Sequence, residues 1–152
     1  MEKTLAMEKT LVQESLVLVR TFTVVPKKVW RAWIKPDALR IWFGQSGAAG
    51  WKAELDVRVG GRYHLVMQHP RGSYYDVRGE YREVVPDRRL VFTWEQRGSD
   101  LAEGQALVSV ELRPAAGGTE LRFTLEPMFD PTSRAAWEGD FRRLERLLQP
   151  KD

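Results

Sequence analysis

Between Glu54 and Leu90 the chain alternates apolar and polar side chains in short runs that are separated by turn-forming residues. An alternation of period two buries one face of a strand and leaves the other in water, which is typical of an antiparallel sheet. Similar runs continue to Leu125, so the spacing predicts a meander of six strands. This stretch contains no nucleophile elbow, metal-ligand cluster or phosphate loop, so its function depends on what the sheet encloses.

Other elements flank the predicted sheet. A β-branched and aromatic segment at Val12–Val24 predicts a first strand. Pro26 suits the first turn of a helix at Lys27–Ile34, and Ala38–Phe43 predicts a second short helix. Near the end of the chain, Arg134–Gln149 predicts an amphipathic helix. Its apolar stripe consists of Trp137, Phe141, Leu144 and Leu148.

One sheet and one long helix bury each other's apolar faces if the sheet curls and the helix lies on its concave side. The predicted fold class is therefore α+β, with a cavity wherever the curvature holds the two apart. We expect a single domain at 12–150, which is long enough to bury a core. Residues 1–11, with a hexapeptide duplication beginning at Met1 and Met7, form an N-terminal extension that is expected to fray.

Composition excludes several classes of function. There is no cysteine, which rules out disulfides and thiolate catalysis, and two histidines are too few for a metal site without carboxylate help. We therefore expect no metal and no cofactor. The net charge of +3 is interspersed, so no nucleic acid is expected as a partner. No apolar run is long enough for a membrane span and no signal peptide is evident, so a cytoplasmic location is expected.

Five short segments carry a resemblance to a known family and occur in that family's order. They are FTVVPKKVWRAW (Phe22–Trp33), PDALRIWF (Pro36–Phe43), LDVRVGGRY (Leu55–Tyr63), GEYREVVPDRRLVFTW (Gly79–Trp94) and GTEL (Gly118–Leu121). Together they resemble the helix-grip fold of the START-like (SRPBCC) superfamily. Within it, they are most similar to the domain named after the C-terminal half of the activator of the heat-shock-protein-90 ATPase.

The resemblance implies a curved antiparallel sheet of about six to seven strands, wrapped around a long C-terminal helix, with two short helices after the first strand. It also implies either a cavity for a small apolar or aromatic ligand or a surface for a chaperone. The superfamily holds carriers, cyclases and hydrolases, so the fold alone does not choose among them. Long edge strands invite pairing, which makes a homodimer a further hypothesis.

The candidate cavity residues are the apolar and aromatic members of the predicted inward face. They are Trp42, Phe43, Tyr63, Leu65, Met67, Tyr75, Val77, Tyr81, Phe92, Trp94, Val108, Val110, Phe123, Trp137, Phe141 and Leu144. Plain core packing explains most of them equally well, although ligand pockets are also mostly apolar with a few polar anchors. Tyr63, Tyr75 and Tyr81 are the candidate anchors, because a buried hydroxyl needs a partner.

Asp56 and Arg58 precede a double glycine, Gly60-Gly61. The pair is either a polar anchor for a ligand or an ion pair that supports the turn, and its position favours turn chemistry. The two glycines are expected to supply positive φ and a bulge that curls the sheet. A phosphate loop is not expected, because a strand follows rather than a helix.

The remaining ionisable residues are expected to be solvated. His64 lies on the polar side of its run and His69 beside a turn proline, so neither is predicted to be a general base. Outward strand positions hold Glu80, Glu83, Glu95, Glu103 and Glu111, and an acid–base pair would require one to turn inward. A basic helical corner, small for a nucleic-acid surface, is formed by Lys27, Lys28, Arg31 and Arg40 beside Trp30.

Three functions remain as hypotheses. The first, which these observations favour, is binding of a small hydrophobic ligand between the sheet and the last helix. The second is a chaperone-associated interaction module. The chain matches only the C-terminal-like part of a two-part co-chaperone, which argues against direct activation of the ATPase. The third is a cyclase- or hydrolase-like enzyme, which an inward ionisable residue with a strongly shifted pKa would support.

Overall fold

The order of strands and helices is the one predicted from the alternating and helical patterns. The computed structural model describes residues 14–44, 50–68, 72, 74–98 and 103–150. Its elements are β1 (Leu16–Phe22), α1 (Pro26–Ile34), α2 (Pro36–Trp42), β2 (Lys52–Leu55), β3 (Arg62–Gln68), β4 (Tyr74–Val85), β5 (Arg89–Gly98), β6 (Gly104–Ala115), β7 (Gly118–Glu126) and α3 (Ser133–Leu147). The predicted N-terminal extension and the start of the first predicted strand lie outside the described residues.

Seven strands form one antiparallel sheet in the order β1-β7-β6-β5-β4-β3-β2. Consecutive strands pair from β2 to β7, as a meander requires, and β1 pairs with β7. The sheet is curved and α3 is its C-terminal helix, which confirms the helix-grip fold. No helix in the described part of the chain is both long and apolar enough to cross a bilayer.

Aromatic rings join α3 to the concave face of the sheet. The ring centroid of Phe123 on β7 lies 4.5 Å from that of Trp137 and 5.4 Å from that of Phe141. All three side chains are buried, as is Leu144 one turn further along α3. Each such side chain contributes about 1.5–3 kcal/mol when it leaves water, so this contact is a major source of stability.

The short helices begin earlier than predicted. Lys35 alone separates α1 from α2, with extended backbone angles, and α2 starts at Pro36 rather than at Ala38. A proline lacks the N–H that would stay unpaired in a first helical turn, so Pro36 starts α2. The first strand ends at Phe22, two residues before the predicted Val24.

The Gly60-Gly61 corner corrects the prediction in two respects. Only Gly60 has a positive φ, of 86°. Gly61 is required instead by close packing, because a Cβ there would lie 2.0 Å from the carbonyl oxygen of Asp56. The bulge lies on β4, where the register shifts between Tyr81 and Glu83. The extra residue at this shift reverses the alternation and pairs Val84 with Leu90, a core residue.

A glycine in the middle of β4 allows a tyrosine to cross that strand. Tyr63 on β3 pairs with Gly79, and a Cβ at Gly79 would lie 2.7 Å from Tyr63 Cε2 and 2.0 Å from the carbonyl oxygen of Thr93. The Tyr63 hydroxyl donates to that carbonyl at 2.6 Å, and the Glu80 N–H donates to Thr93 Oγ1 at 2.8 Å. Tyr63 therefore ties β3 to β5 across a strand interior that has no side chain.

The crossing predicts that Gly79→Ala lowers the free energy of unfolding by at least about 2 kcal/mol, because the new methyl group overlaps a backbone carbonyl and a ring. Gly139→Ala in α3 is the matched control, since the nearest atom there is 3.7 Å away. It should be neutral or stabilising by about 0.5–1 kcal/mol. Urea unfolding of both variants measures this, and wild-type stability of Gly79→Ala would contradict the crossing.

Candidate functional site

A small apolar cavity lies between the sheet and the helices. Its volume is about 30 Å³, which is room for one or two water molecules. Aromatic rings and leucines line it: Trp33, Leu39, Trp42, Phe43, Leu55, Tyr63, Leu65, Tyr81, Leu90, Phe92, Trp94 and Trp137. All of these residues are buried except Leu55, which is half-buried. The site is therefore nearly filled by its own wall.

The candidate residues divide evenly between this wall and the core around it. Those that line the cavity are Trp42, Phe43, Tyr63, Leu65, Tyr81, Phe92, Trp94 and Trp137. Those that pack into or against the surrounding core are Met67, Tyr75, Val77, Val108, Val110, Phe123, Phe141 and Leu144. The contact of any of them with a ligand stays a prediction.

Four lining residues were not among the candidates: Trp33, Leu39, Leu55 and Leu90. Each carried a usable signal in the sequence. Trp33 and Leu39 lie at apolar positions of the two predicted short helices, and Leu55 and Leu90 begin or continue alternating runs.

Two of the three tyrosine hydroxyls are engaged within the protein. Tyr63 donates to the carbonyl of Thr93, and the Tyr75 hydroxyl lies 3.5 Å from Gln96 Oε1. Tyr81 also lines the cavity, and its hydroxyl, unlike its backbone, has no hydrogen bond to a described residue. Burial raises the pKa of all three hydroxyls, so each is a neutral donor at physiological pH. Tyr81 is thus the remaining candidate anchor of the three.

An unpaired donor also belongs to the cavity wall. Among the described residues, the buried indole N–H groups of Trp33 and Trp51 have no hydrogen-bond partner. Trp33 lines the cavity and Trp51 does not. By contrast, the indole of Trp42 donates to the carbonyl of Ala32 at 2.8 Å. Leaving a buried donor unpaired costs about 1–3 kcal/mol, so an acceptor that reached the Trp33 N–H would be favoured.

A buried contact between Asp140 and Arg143 lies behind the wall and fastens α2 to α3. Asp140 on α3 is 6% exposed, and its carboxylate contacts the guanidinium of Arg143. Arg143 also donates to the carbonyl oxygens of Trp42 at 3.1 Å and Gly44 at 2.5 Å. The backbone N–H of Gly44 also favours the charged form of Asp140. These bonds use carbonyl groups that the end of a helix leaves unpaired.

Burial raises the pKa of Asp140 to about 8, while the charge and hydrogen bond of Arg143 and the Gly44 N–H act in the opposite direction. This is the kind of shift that would support an enzyme. However, Asp140 does not line the cavity, and its carboxyl group is held by Arg143. Its geometry is that of a structural tie between two helices.

A second buried polar group joins β5 to the segment before α3. Trp94 Nε1 donates to Gln96 Oε1 at 3.0 Å, and Gln96 Nε2 donates to Asp130 Oδ2 at 3.3 Å. Asp130 accepts the backbone N–H of Thr132 at 2.9 Å. Gln96 and Asp130 were not predicted, although Gln96 continues the inward alternation of Phe92 and Trp94. No sequence pattern marks Asp130.

The turn pair has the structural role that the sequence favours. Arg58 Nε lies 3.0 Å from Asp56 Oδ2, and both side chains are more than half exposed. An exposed pair of this kind contributes about 0–1 kcal/mol. Neither residue lines the cavity, so the pair supports the corner at Gly60-Gly61.

His64 lies on the outer face of the sheet, away from the cavity. Its Nε2 lies 3.1 Å from Asp76 Oδ2, and Arg78 approaches the same carboxylate. Partial burial alone would raise the pKa of Asp76, but the hydrogen bonds of His64 and Arg78 outweigh it and lower the pKa. His69 lies outside the described residues. Within the described part, no group of three histidine, aspartate or glutamate side chains could hold a metal ion.

The other charged residues singled out in the sequence face water. The glutamates at the outward strand positions are exposed or half-buried, namely Glu80, Glu83, Glu95, Glu103 and Glu111. The basic residues of the helical corner are exposed: Lys27, Lys28, Arg31 and Arg40. Trp30 beside them is buried, so this corner lacks the exposed ring on which a nucleic-acid base would stack.

A larger groove of about 590 Å³ crosses the outer face of the sheet near Arg88 and Arg122. Its charges are largely paired, since Arg89 contacts Glu83 and Glu111, and Arg113 contacts Glu120. Charged side chains dominate the lining of this groove, whereas ligand pockets are lined predominantly by hydrophobic and aromatic side chains. The smaller cavity is therefore the better candidate site.

Comparison with known proteins places these features in context. Residues 23–149 match the family described as Activator of Hsp90 ATPase homolog 1-like protein. The structure of an uncharacterized protein from Rhizobium leguminosarum is 25% identical, with a TM-score of 0.75, covering 90% of this chain and 95% of that one. A protein of Chromobacterium violaceum is 26% identical, with a TM-score of 0.73 and coverage of 91% and 99%.

The AHSA1 protein of Silicibacter pomeroyi shares the fold, at 23% identity, a TM-score of 0.70 and coverage of 88% and 96%. No curated protein matches the chain.

The raised pKa of Asp140 predicts a pH-dependent stability. The folded protein keeps a proton that the unfolded chain releases near pH 4, so the contribution of Asp140 declines as pH rises from about 4 to about 8. Between pH 5 and pH 8, the free energy of unfolding should fall by at least about 1.4 kcal/mol more in the wild type than in Asp140→Asn. Urea unfolding at several pH values measures this.

The exposed Asp37→Asn variant is the control and should follow the wild type. Parallel pH profiles for the wild type and Asp140→Asn would show that Asp140 titrates normally.

Proposed function

We propose that this chain, which belongs to the family of Activator of Hsp90 ATPase homolog 1-like proteins, binds a small apolar or aromatic ligand between its sheet and α3. The observation that carries the proposal is the cavity, whose wall consists of aromatic rings and leucines. Ligand sites are mostly apolar and concave, and they contain a small number of polar groups that orient the ligand. Affinity would come from buried apolar area, at roughly 25 cal/mol per Å² before the costs of association.

The wall also favours one chemical class of ligand. The unpaired N–H of Trp33 is a donor, and the neutral hydroxyl of Tyr81 is both a donor and an acceptor. A ligand with one oxygen acceptor on an aromatic or aliphatic body matches this wall better than a plain hydrocarbon. The ligand class proposed is therefore an aromatic ketone, ether or similar molecule.

The size of the cavity sets a condition on binding. About 30 Å³ holds water but not a ring, whereas a benzene molecule occupies a cavity of about 150 Å³. Ligand binding therefore requires part of the wall to move outward. A ligand-bound form should differ from this structure mainly at the short helices or at the aromatic side chains.

An interaction with a chaperone is the second candidate. Its support is the description of the family, together with two exposed valines on the edge strand β1, Val17 at 38% and Val19 at 42%. An apolar edge strand offers both side chains and backbone groups to a partner. A pull-down that recovers no chaperone, and an unchanged chaperone ATPase rate, would remove this candidate. Cytoplasmic location and a homodimer remain predictions.

The fluorescent probe N-phenyl-1-naphthylamine should bind the purified protein in a saturable manner, and native mass spectrometry should detect a co-purified small molecule. Leu55→Phe, which fills the cavity at its half-buried margin, should weaken probe binding by about tenfold through loss of space. Leu107→Phe adds the same bulk at a half-buried position outside the cavity and is the control. Equal affinity in the two variants, or no saturable binding to the wild type, would contradict the proposal.

Removal of the Trp33 donor should weaken binding only for ligands with an acceptor. Two probes of similar shape separate this effect, 2-acetylnaphthalene with a carbonyl oxygen and 2-isopropylnaphthalene without one. Trp33→Phe should raise the Kd of the ketone about three- to tenfold more than that of the hydrocarbon, the value of one hydrogen bond. Trp51→Phe removes an unpaired N–H outside the cavity and should change neither. Equal effects on both probes would exclude Trp33 as the donor.

A further inference from the structure

The helix α2 forms one side of the cavity and alone separates that side from solvent. Leu39, Trp42 and the following Phe43 line the cavity from this side. The opposite side of α2 faces water, with Ile41 55% exposed and Arg40 also exposed. Nothing among the described residues covers this outer surface. Displacement of α2 alone would therefore connect the cavity to solvent.

The covalent link from α1 to α2 is short, and the main anchor of α2 in the core is Trp42, which is fully buried and whose indole donates to the carbonyl of Ala32 at 2.8 Å. One residue in an extended conformation, Lys35, links α2 to α1, and no side chain caps its first turn. A helix of seven residues is too short to be stable by itself in water. Its position must therefore depend on the contacts that it makes with other elements.

Besides the bond from the Trp42 indole to Ala32, two arginines supply polar contacts that hold α2 in place. From α3, Arg143 binds the carbonyl oxygens of Trp42 and Gly44, at 3.1 Å and 2.5 Å. Toward the sheet, Arg40 Nη2 donates to the carbonyl oxygen of Trp51 at 3.2 Å. Each bond joins a charged donor to a backbone carbonyl, and bonds of this kind are stronger than those between neutral groups. We call these two contacts the Arg143 latch and the Arg40 latch.

Phe43 connects the latches to the cavity. Its ring contacts those of Trp94 at 5.7 Å and Trp137 at 5.5 Å between centroids. Its backbone lies between the two carbonyl groups that Arg143 binds. Release of the Arg143 latch therefore frees the segment that carries Phe43, and withdrawal of this ring enlarges the cavity.

We propose that α2 with Phe43 is a lid over the cavity, held shut by the Arg143 and Arg40 latches, and that ligands enter and leave when it lifts. The proposal rests on the proposed ligand-binding function only for the identity of the molecule that enters the cavity. The motion itself belongs to the free protein. A lid accounts for the contrast between an aromatic wall suited to a ring and a cavity of about 30 Å³ that holds none.

Native-state amide hydrogen exchange tests the lid without any ligand. The amides to follow are those of α2 and of Phe43, which donates to the carbonyl of Leu39 at 2.8 Å, and Val110 in β6 is the reference. In Arg143→Met, the α2 and Phe43 amides should lose about tenfold in protection beyond any loss at Val110. Arg40→Met should show the same pattern, and it replaces Arg143→Met in the test if that variant fails to fold. Arg142→Met, exposed on the same helix, is the control. Equal losses at α2 and β6 in both latch variants would overturn the lid.

Stopped-flow binding of N-phenyl-1-naphthylamine supplies the second measurement. Weaker latches should raise the association rate constant by about five- to tenfold and lower Kd by a similar factor, because the closed cavity is too small for the probe and the bound form already has the wall displaced. Unchanged rates in both latch variants would overturn the lid even if the probe binds. If the probe does not bind the wild type, the proposed function fails, and hydrogen exchange alone decides whether the lid exists.

Discussion

The burial of α3 against the concave sheet is the contact on which the other features depend. Trp137 and Phe141 meet Phe123 on β7, and neither the helix stripe nor the sheet face would be stable in water without the other. Asp140 lies one residue before Phe141 in α3, and Arg143 lies two residues after it. The packing therefore places both residues against the end of α2. The cavity and its wall therefore depend on the packing of α3 against the sheet.

The alternation of side chains made most of the fold predictable, because a period of two assigns each residue of a strand to one face. The six runs became β2 to β7, and the apolar spacing of four, three and four became α3. The bulge in β4 was placed at the wrong site. Its signal was the consecutive polar pair Arg82-Glu83, which breaks the alternation, and only pairing with β5 shows which residue is extra.

The candidate site was predictable in composition but not in volume. Sequence patterns placed aromatic rings inside, yet whether rings fill a space or border it depends on their mutual packing, which no local pattern contains. Asp140 and Gln96 were missed for a related reason. Both residues lie at inward positions, but a polar side chain is expected to face water unless a buried partner is known. The partners here are Arg143 for Asp140 and Asp130 for Gln96.

The Tyr63 crossing has a consequence for how relatives with this architecture could vary. The ring that borders the cavity is also the tie from β3 to the carbonyl of Thr93, over a residue that must be glycine. A smaller residue at 63 would enlarge the hollow and at the same moment remove the hydrogen bond that ties β3 to β5. Adaptation to bulkier guests is therefore easier on the helical side, at Trp33 and Leu39, whose side chains make no hydrogen bond to a strand.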